Sequence, residues 1–236
     1  AEDCVGLDLS AWRVALTAAE PVRAETMERF AQRFASVGFN PRTFSPGYGL
    51  SEGTCKVVAV TAREEPTVLR LRADQLERGV VELVEPGAEG RRAVACGRPG
   101  FGADVAIVNP DTRTPAAAGR VGEVWVSGSG VAQSYWGHPE ATEELLRARM
   151  ENDERRFLRT GDLGFIHDGL LYITGRIKDV IIVRGANHYP QDIEHTVQDA
   201  HACIRAGCVA AFSYEEDGEE RVAVVAEFDA RRAEAM

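Results

Sequence analysis

The sequence predicts an α/β domain that carries a β-rich subdomain, followed by the opening of a second, α+β unit. Three observations lead there. Between residues 10 and 37 an apolar strand run gives way to a helical pattern. Between 104 and 175 short β-type runs recur, broken by turns and one short helix. Past Lys178 the chain returns to a helix followed by two strands, so the periodicity changes character there.

Taken in order, Trp12 to Leu16 is a strand. Glu20-Pro21 then opens a helix in which Val22, Met27, Phe30, Phe34 and Val37 share one face. Pro21 suits a first helical turn, and Gly38 suits the C-cap. Phe44-Ser45-Pro46-Gly47-Tyr48-Gly49 reads as turn-rich and ends in Ser51-Glu52. Lys56 to Thr61, Thr67 to Leu71 and Val80 to Val84 are expected strands, with a helical turn over Asp74–Gly79. Val105 to Val108 and Gly122 to Gly128 are strands, with a short helix over Glu140–Met150. Phe165-Ile166 and Leu170 to Ile173 flank the turn His167-Asp168-Gly169. Val180 to Val183 is a strand, Pro190 to Ala202 a helix, and Cys208 to Phe212 and Arg221 to Phe228 are strands around a turn at Glu215–Glu220.

At 236 residues, 44% hydrophobic and 27% charged, the composition is that of a soluble globular protein. A net charge of −10 leaves no basic stripe to neutralise phosphates, which excludes nucleic acid as partner. No run approaches the ~18–20 apolar residues of a membrane span, and Ala1-Glu2-Asp3-Cys4 lacks a signal-peptide pattern. The five cysteines are scattered, with no Cys-x-x-Cys, which points to reduced thiols and a cytoplasmic location. His195 and His201, six apart, do not share a helix face at metal-ligand spacing.

Five stretches carry candidate chemistry. Thr17-Ala18-Ala19-Glu20-Pro21 is a strand-to-helix turn of small residues, over which a flat ring can approach the main chain. Tyr48-Gly49-Leu50-Ser51-Glu52 offers an aromatic face, a hydroxyl and a carboxylate, the last a ligand of the kind a hard cation takes. Val121 to Gly128, with Tyr135-Trp136, reads as packing. Leu158-Arg159-Thr160-Gly161-Asp162-Leu163 presents a carboxylate that can accept from two hydroxyls at once. Gly175-Arg176-Ile177-Lys178-Asp179 leads into the strand Val180 to Val183, then Arg184 and Asn187-His188-Tyr189-Pro190-Gln191-Asp192-Ile193-Glu194.

In order and spacing these stretches resemble the motifs of adenylate-forming enzymes. The ending from Asn187 to Glu194, and the 56–94 stretch followed by Val94-Ala95-Cys96-Gly97-Arg98-Pro99, resemble the fatty acyl-AMP ligase branch. The resemblance implies that 1–178 is the C-terminal part of a large AMP-binding domain, with an insertion at about 56–94 and a β-subdomain at about 95–175. It implies that 179–236 begins a small mobile domain. It implies ATP or AMP lying along Ala19 and Glu20. Tyr48 and Gly49 would face adenine and Ser51 a phosphate. Glu52 would hold Mg²⁺ and act in catalysis, Asp162 would take the ribose, Arg176 the ribose or phosphate, and Asp179 would be a catalytic hinge. A fatty acid and the phosphopantetheine arm of an acyl carrier protein are the implied partners.

The family's Gly- and Ser/Thr-rich phosphate loop and its catalytic lysine have no counterpart here, since Lys56 and Lys178 stand in other contexts. The chain is therefore expected to be an internal fragment without activity of its own. The other classes considered are a non-catalytic module that holds AMP or docks a carrier protein, and an aryl-, aminoacyl- or CoA-ligase of the same superfamily.

Overall fold

The computed structural model describes residues 4–60, 65–85, 87–100, 102–183, 185–216 and 219–229. Thr61, Arg184 and the tip of the expected turn at Asp217-Gly218 lie outside the described residues. The chain divides into two compact units, one of residues 1–76 and 80–174 and one of 77–79 and 175–236. The division falls between Thr174 and Gly175, four residues before the expected boundary after Lys178.

The first unit opens with β1 (Ala15–Thr17), α1 (Ala24–Phe34) and β2 (Phe44–Tyr48). β1 and β2 pair in parallel, with Thr17 opposite Pro46, so α1 is a crossover helix. Its apolar stripe holds it on the sheet: Met27, Phe30 and Phe34 pack with Ala15, Phe39 and Phe44. Trp12, Phe30, Phe39 and Phe44 meet edge to face, the arrangement ring quadrupoles favour. The helix tightens into a 3-10 turn over Ala35–Val37 and stops at Gly38, whose φ of 85° is left-handed.

β2 is a correction to the turn-rich reading of Phe44 to Gly49. Its Ser-Pro-Gly composition disfavours a strand, yet pairing with β1 on one side and β3 (Val58–Ala59) on the other imposes one. β4 (Val68–Leu71), α2 (Ala73–Leu76) and β5 (Arg91–Val94) follow, with β4 and β5 forming an antiparallel pair. Val80 to Val84, expected as a strand, makes only isolated bridges at Val80 and Leu83. Arg92 on β5 reaches Glu25 and Glu28 on α1 at 2.6 and 2.7 Å, which ties the 56–94 stretch to the crossover helix.

β6 (Arg98–Pro99) closes the first sheet in the order β1-β2-β3-β6. A second, antiparallel sheet is built from β7 (Ala103–Val108), β8 (Gly122–Gly128), β9 (Leu158–His167) and β10 (Leu170–Arg176), in the order β10-β9-β8-β7. Between β8 and β9 the expected helix over Glu140–Met150 is shorter. α3 (Pro139–Ala141) runs into a π turn at Thr142–Leu146, and Leu146 is buried. Val57 and Val58 from the first sheet meet Val124, Val126, Leu158 and Leu171 from the second in one core.

The second unit pairs β11 (Ile181–Val183) with β12 (Ala186–His188) and lays α4 (Pro190–Ala200) on the long hairpin of β13 (Ile204–Glu216) and β14 (Glu219–Phe228). Glu194 on α4 accepts from the backbone N–H of Ala211 on β13. Gly175 abuts the ring of Tyr189, which lies 2.5 Å from where a Cβ would stand. Among the described residues no helix is long and apolar enough to cross a membrane.

Candidate functional site

β1 and β2 run side by side in the same direction, so their carboxyl ends open together. Ala19 and Glu20 follow β1, and Tyr48 ends β2. In open parallel sheets that edge is where ligands bind. Ala19 and Glu20 are both exposed there, and Ala19 takes a left-handed φ of 75°.

After Tyr48 the chain makes a tight reversal. A 3-10 turn covers Ser51–Gly53, and Thr54 and Cys55 follow with φ of 57° and 63°. Gly49 is required by this geometry, because a Cβ there would stand 2.1 Å from the carbonyl oxygen of Cys55. The fold thus places Tyr48, Ser51 and Glu52 on one compact turn, with Ser51 exposed and Glu52 half-buried.

Asp162 arrives from the second sheet and is buried. Along β8 and β9, Glu123 faces Leu163 and Trp125 faces Arg159, so two steps on β8 match four on β9. The surplus makes a bulge, with Gly161 at a left-handed φ of 71°. The bulge is braced from within. Glu123, 1% exposed, accepts from Arg159 at 3.0 Å and from the Gly161 backbone N–H at 3.1 Å. The Arg159 guanidinium lies over the Trp125 ring at 5.6 Å. Thr160 Oγ1 donates to the Val124 carbonyl and accepts from the Asp162 N–H at 3.0 Å. Asp162 Oδ2 then accepts from the Tyr48 hydroxyl at 2.7 Å.

A second tyrosine serves the turn. The Tyr135 hydroxyl donates to Glu52 Oε1 at 2.9 Å, and the Glu52 carbonyl accepts from the Ala132 N–H at 2.7 Å. Burial, then the Glu52 carboxylate, pushes the Tyr135 hydroxyl up to about 12, so it remains a donor at neutral pH. The packing assigned to Tyr135-Trp136 from sequence is corrected here. Tyr135 packs and also holds a carboxylate, while Trp136 is 97% exposed.

Glu52 is the residue that would hold a Mg²⁺ ion here. It is a single hard carboxylate, and among the described residues no cluster of three or more His, Cys, Asp or Glu competes as a metal cage. Of the predicted residues, the structure brings Tyr48, Gly49, Ser51, Glu52 and Asp162 together, with Ala19 and Glu20 at the same sheet edge. Arg176, ending β10, and Asp179, ending a 3-10 turn at Ile177–Asp179, are exposed residues of the second unit. Sequence reasoning missed Glu123 and Arg159, although a glutamate inside the apolar run Gly122 to Gly128 is itself a signal of a buried partner.

Residues 2–136 match the family described as AMP-binding enzyme. The chain belongs to that family. It is 46% identical over 233 residues to the medium-chain-fatty-acid–[acyl-carrier-protein] ligase JamA of Moorena producens, covering 97% of this chain and 39% of that protein. It is 40% identical over 221 residues to the long-chain-fatty-acid–AMP ligase FadD32 of Mycolicibacterium smegmatis, covering 88% of this chain and 35% of that protein. Among solved structures, a fatty acyl-adenylate ligase of L. pneumophila in complex with acyl adenylate and pyrophosphate superposes with a TM-score of 0.74 at 39% identity, covering 99% of this chain and 42% of that one. The chain spans about 40% of the length of these AMP-binding relatives, and its mixed α/β architecture is that of adenylate-forming ligases.

Proposed function

We propose that this chain is part of a fatty acyl-AMP ligase, which joins a fatty acid to AMP at the expense of ATP and passes the acyl group to an acyl carrier protein. The bond from Tyr48 to buried Asp162, beside Glu52 at the carboxyl end of a parallel strand pair, is the observation that carries this reading. A nucleotide lying over Ala19 and Glu20 presents its base to the Tyr48 ring and Gly49, its ribose hydroxyls to Asp162, and its phosphates to Ser51 and Glu52. Glu52 would hold Mg²⁺, which would supply charge neutralisation for departing pyrophosphate. Asp162, shielded from bulk water, accepts the ribose hydroxyls without reorganising, so its contribution is positioning. Arg176 contacts the ribose or phosphate, and Asp179 is the hinge of a small domain that turns between adenylation and transfer. The carrier protein follows from the relatives named as acyl-carrier-protein ligases. A cytoplasmic setting fits five unpaired cysteines.

The test is ATP–pyrophosphate exchange driven by fatty acids of varied length. The complete ligase carrying this segment is expected to exchange and then to acylate a holo carrier protein in preference to CoA. Residues 1–236 alone are expected to give neither reaction. Preference for CoA would move the chain to the acyl-CoA ligases, and robust exchange by residues 1–236 would refute the fragment reading.

A further inference from the structure

We infer that Tyr135 is a positioning residue for Glu52, fixing the carboxylate so that Oε2 stands open to a divalent cation. The inference rests on the proposed role of Glu52 as the cation ligand. Among the described residues, only the Tyr135 hydroxyl gives the Glu52 side chain a hydrogen bond, and it occupies Oε1. A neutral hydroxyl takes one lone pair and leaves the carboxylate its full negative charge. A guanidinium in the same place would compete with the cation.

Tyr135 is itself held by its backbone and by its ring. Its backbone N–H donates to Thr142 Oγ1 at 2.9 Å, and that hydroxyl donates to the His138 carbonyl at 2.8 Å. Its ring packs against the core that contains Val126 and Leu146. Thr142 and Leu146 begin and end the π turn, a geometry that recurs at functional sites. The same loop grips the backbone of the Glu52 turn. Ala132 donates to the Glu52 carbonyl, and the Gly130 carbonyl accepts from Thr54 Oγ1. With the main chain pinned, the Tyr135 hydroxyl fixes what remains, the carboxylate torsion.

The experiment measures Mn²⁺ binding by electron paramagnetic resonance, with a non-hydrolysable ATP analogue present, on the complete ligase carrying this segment. Tyr135→Phe is expected to weaken Mn²⁺ binding by about tenfold, the loss typical of an outer-shell partner. In turnover the Mg²⁺ half-saturation should rise by a similar factor while kcat at saturating Mg²⁺ holds, a split that a merely structural role does not produce. Thr142→Val, which removes the prop behind Tyr135, should shift binding the same way by less, and it decides the matter if Tyr135→Phe does not fold. Glu52→Gln separates the two ideas. If it binds Mn²⁺ as wild type does, Glu52 is not the ligand and both readings fall. If it loses Mn²⁺ while Tyr135→Phe and Thr142→Val bind normally, the positioning role alone is overturned.

Discussion

The Tyr48 hydroxyl donates to Asp162 Oδ2 at 2.7 Å across 114 positions of chain, joining the end of the parallel strand pair to the bulge of the antiparallel sheet. Hydrogen bonds to charged groups contribute about 1.5–3 kcal/mol. Tyr48→Phe should therefore destabilise the chain by about 2 kcal/mol. A double-mutant cycle with Asp162→Ala, read by urea unfolding, should show coupling; additive effects would mean the bond contributes nothing net.

The proposed ribose role of Asp162 makes a kinetic prediction. In the complete ligase Asp162→Ala should raise the KM for ATP by about tenfold or more, as loss of a bidentate charged contact costs at least ~1.4 kcal/mol. Adenylation at fixed subsaturating ATP should fall with it. Steady-state exchange kinetics over a range of ATP concentrations check this, and an unchanged ATP dependence removes Asp162 from the site.

The Glu123–Arg159 pair should behave as a buried ion pair. Glu123→Leu strands the Arg159 guanidinium, whose side chain is only 16% exposed, and removes the acceptor for the Gly161 N–H. A loss of about 3–5 kcal/mol is expected. Glu123→Gln, which keeps an acceptor for Gly161, should cost less. Equal losses for the two variants would show that the charge, not the brace, matters.

Stability should fall at alkaline pH. Burial pushes the Cys96 thiol from an ordinary 9.0 up to about 12, and burial with the nearby Asp168 pushes the Tyr172 hydroxyl from 10.0 to about 12. The unfolded chain loses these protons first, so unfolding becomes easier as pH rises from about 9 towards 12, and the full contribution is present below pH 9. Thermal midpoints measured between pH 8 and pH 11 should decline, and Cys96→Ser with Tyr172→Phe should flatten the decline. In the same range exposed Cys55 should alkylate readily while buried Cys96 resists until the chain unfolds.

Much of this was legible in the sequence where local pattern and packing agree. β8 spans Gly122–Gly128 as read, and the 3-10 turn that continues α1 stops at Gly38, where a left-handed cap is needed. The candidate turn was legible because Tyr48, Ser51 and Glu52 sit within five residues. β2 was missed because Pro46 and Gly47 speak for a turn, and only its two neighbours make it a strand. The long-range partners were hidden for a related reason. Nothing near Glu52 announces Tyr135, and nothing near Asp162 announces Tyr48, because those contacts exist only once the two sheets meet. The helix over Glu140–Met150 was overdrawn: Thr142 spends its hydroxyl on the backbone of Tyr135 and His138, a local competition that periodicity does not register.

The tight reversal at Gly49 bears on how this site can change over generations. With the Cys55 carbonyl filling the place of a side chain, the turn admits no gradual adjustment there, since the smallest step from glycine already collides. Tyr48 and Glu52 are thus carried on a turn whose backbone is closed to a side chain at Gly49. Sequence change has freer ground elsewhere, in segments that do not pass through this knot.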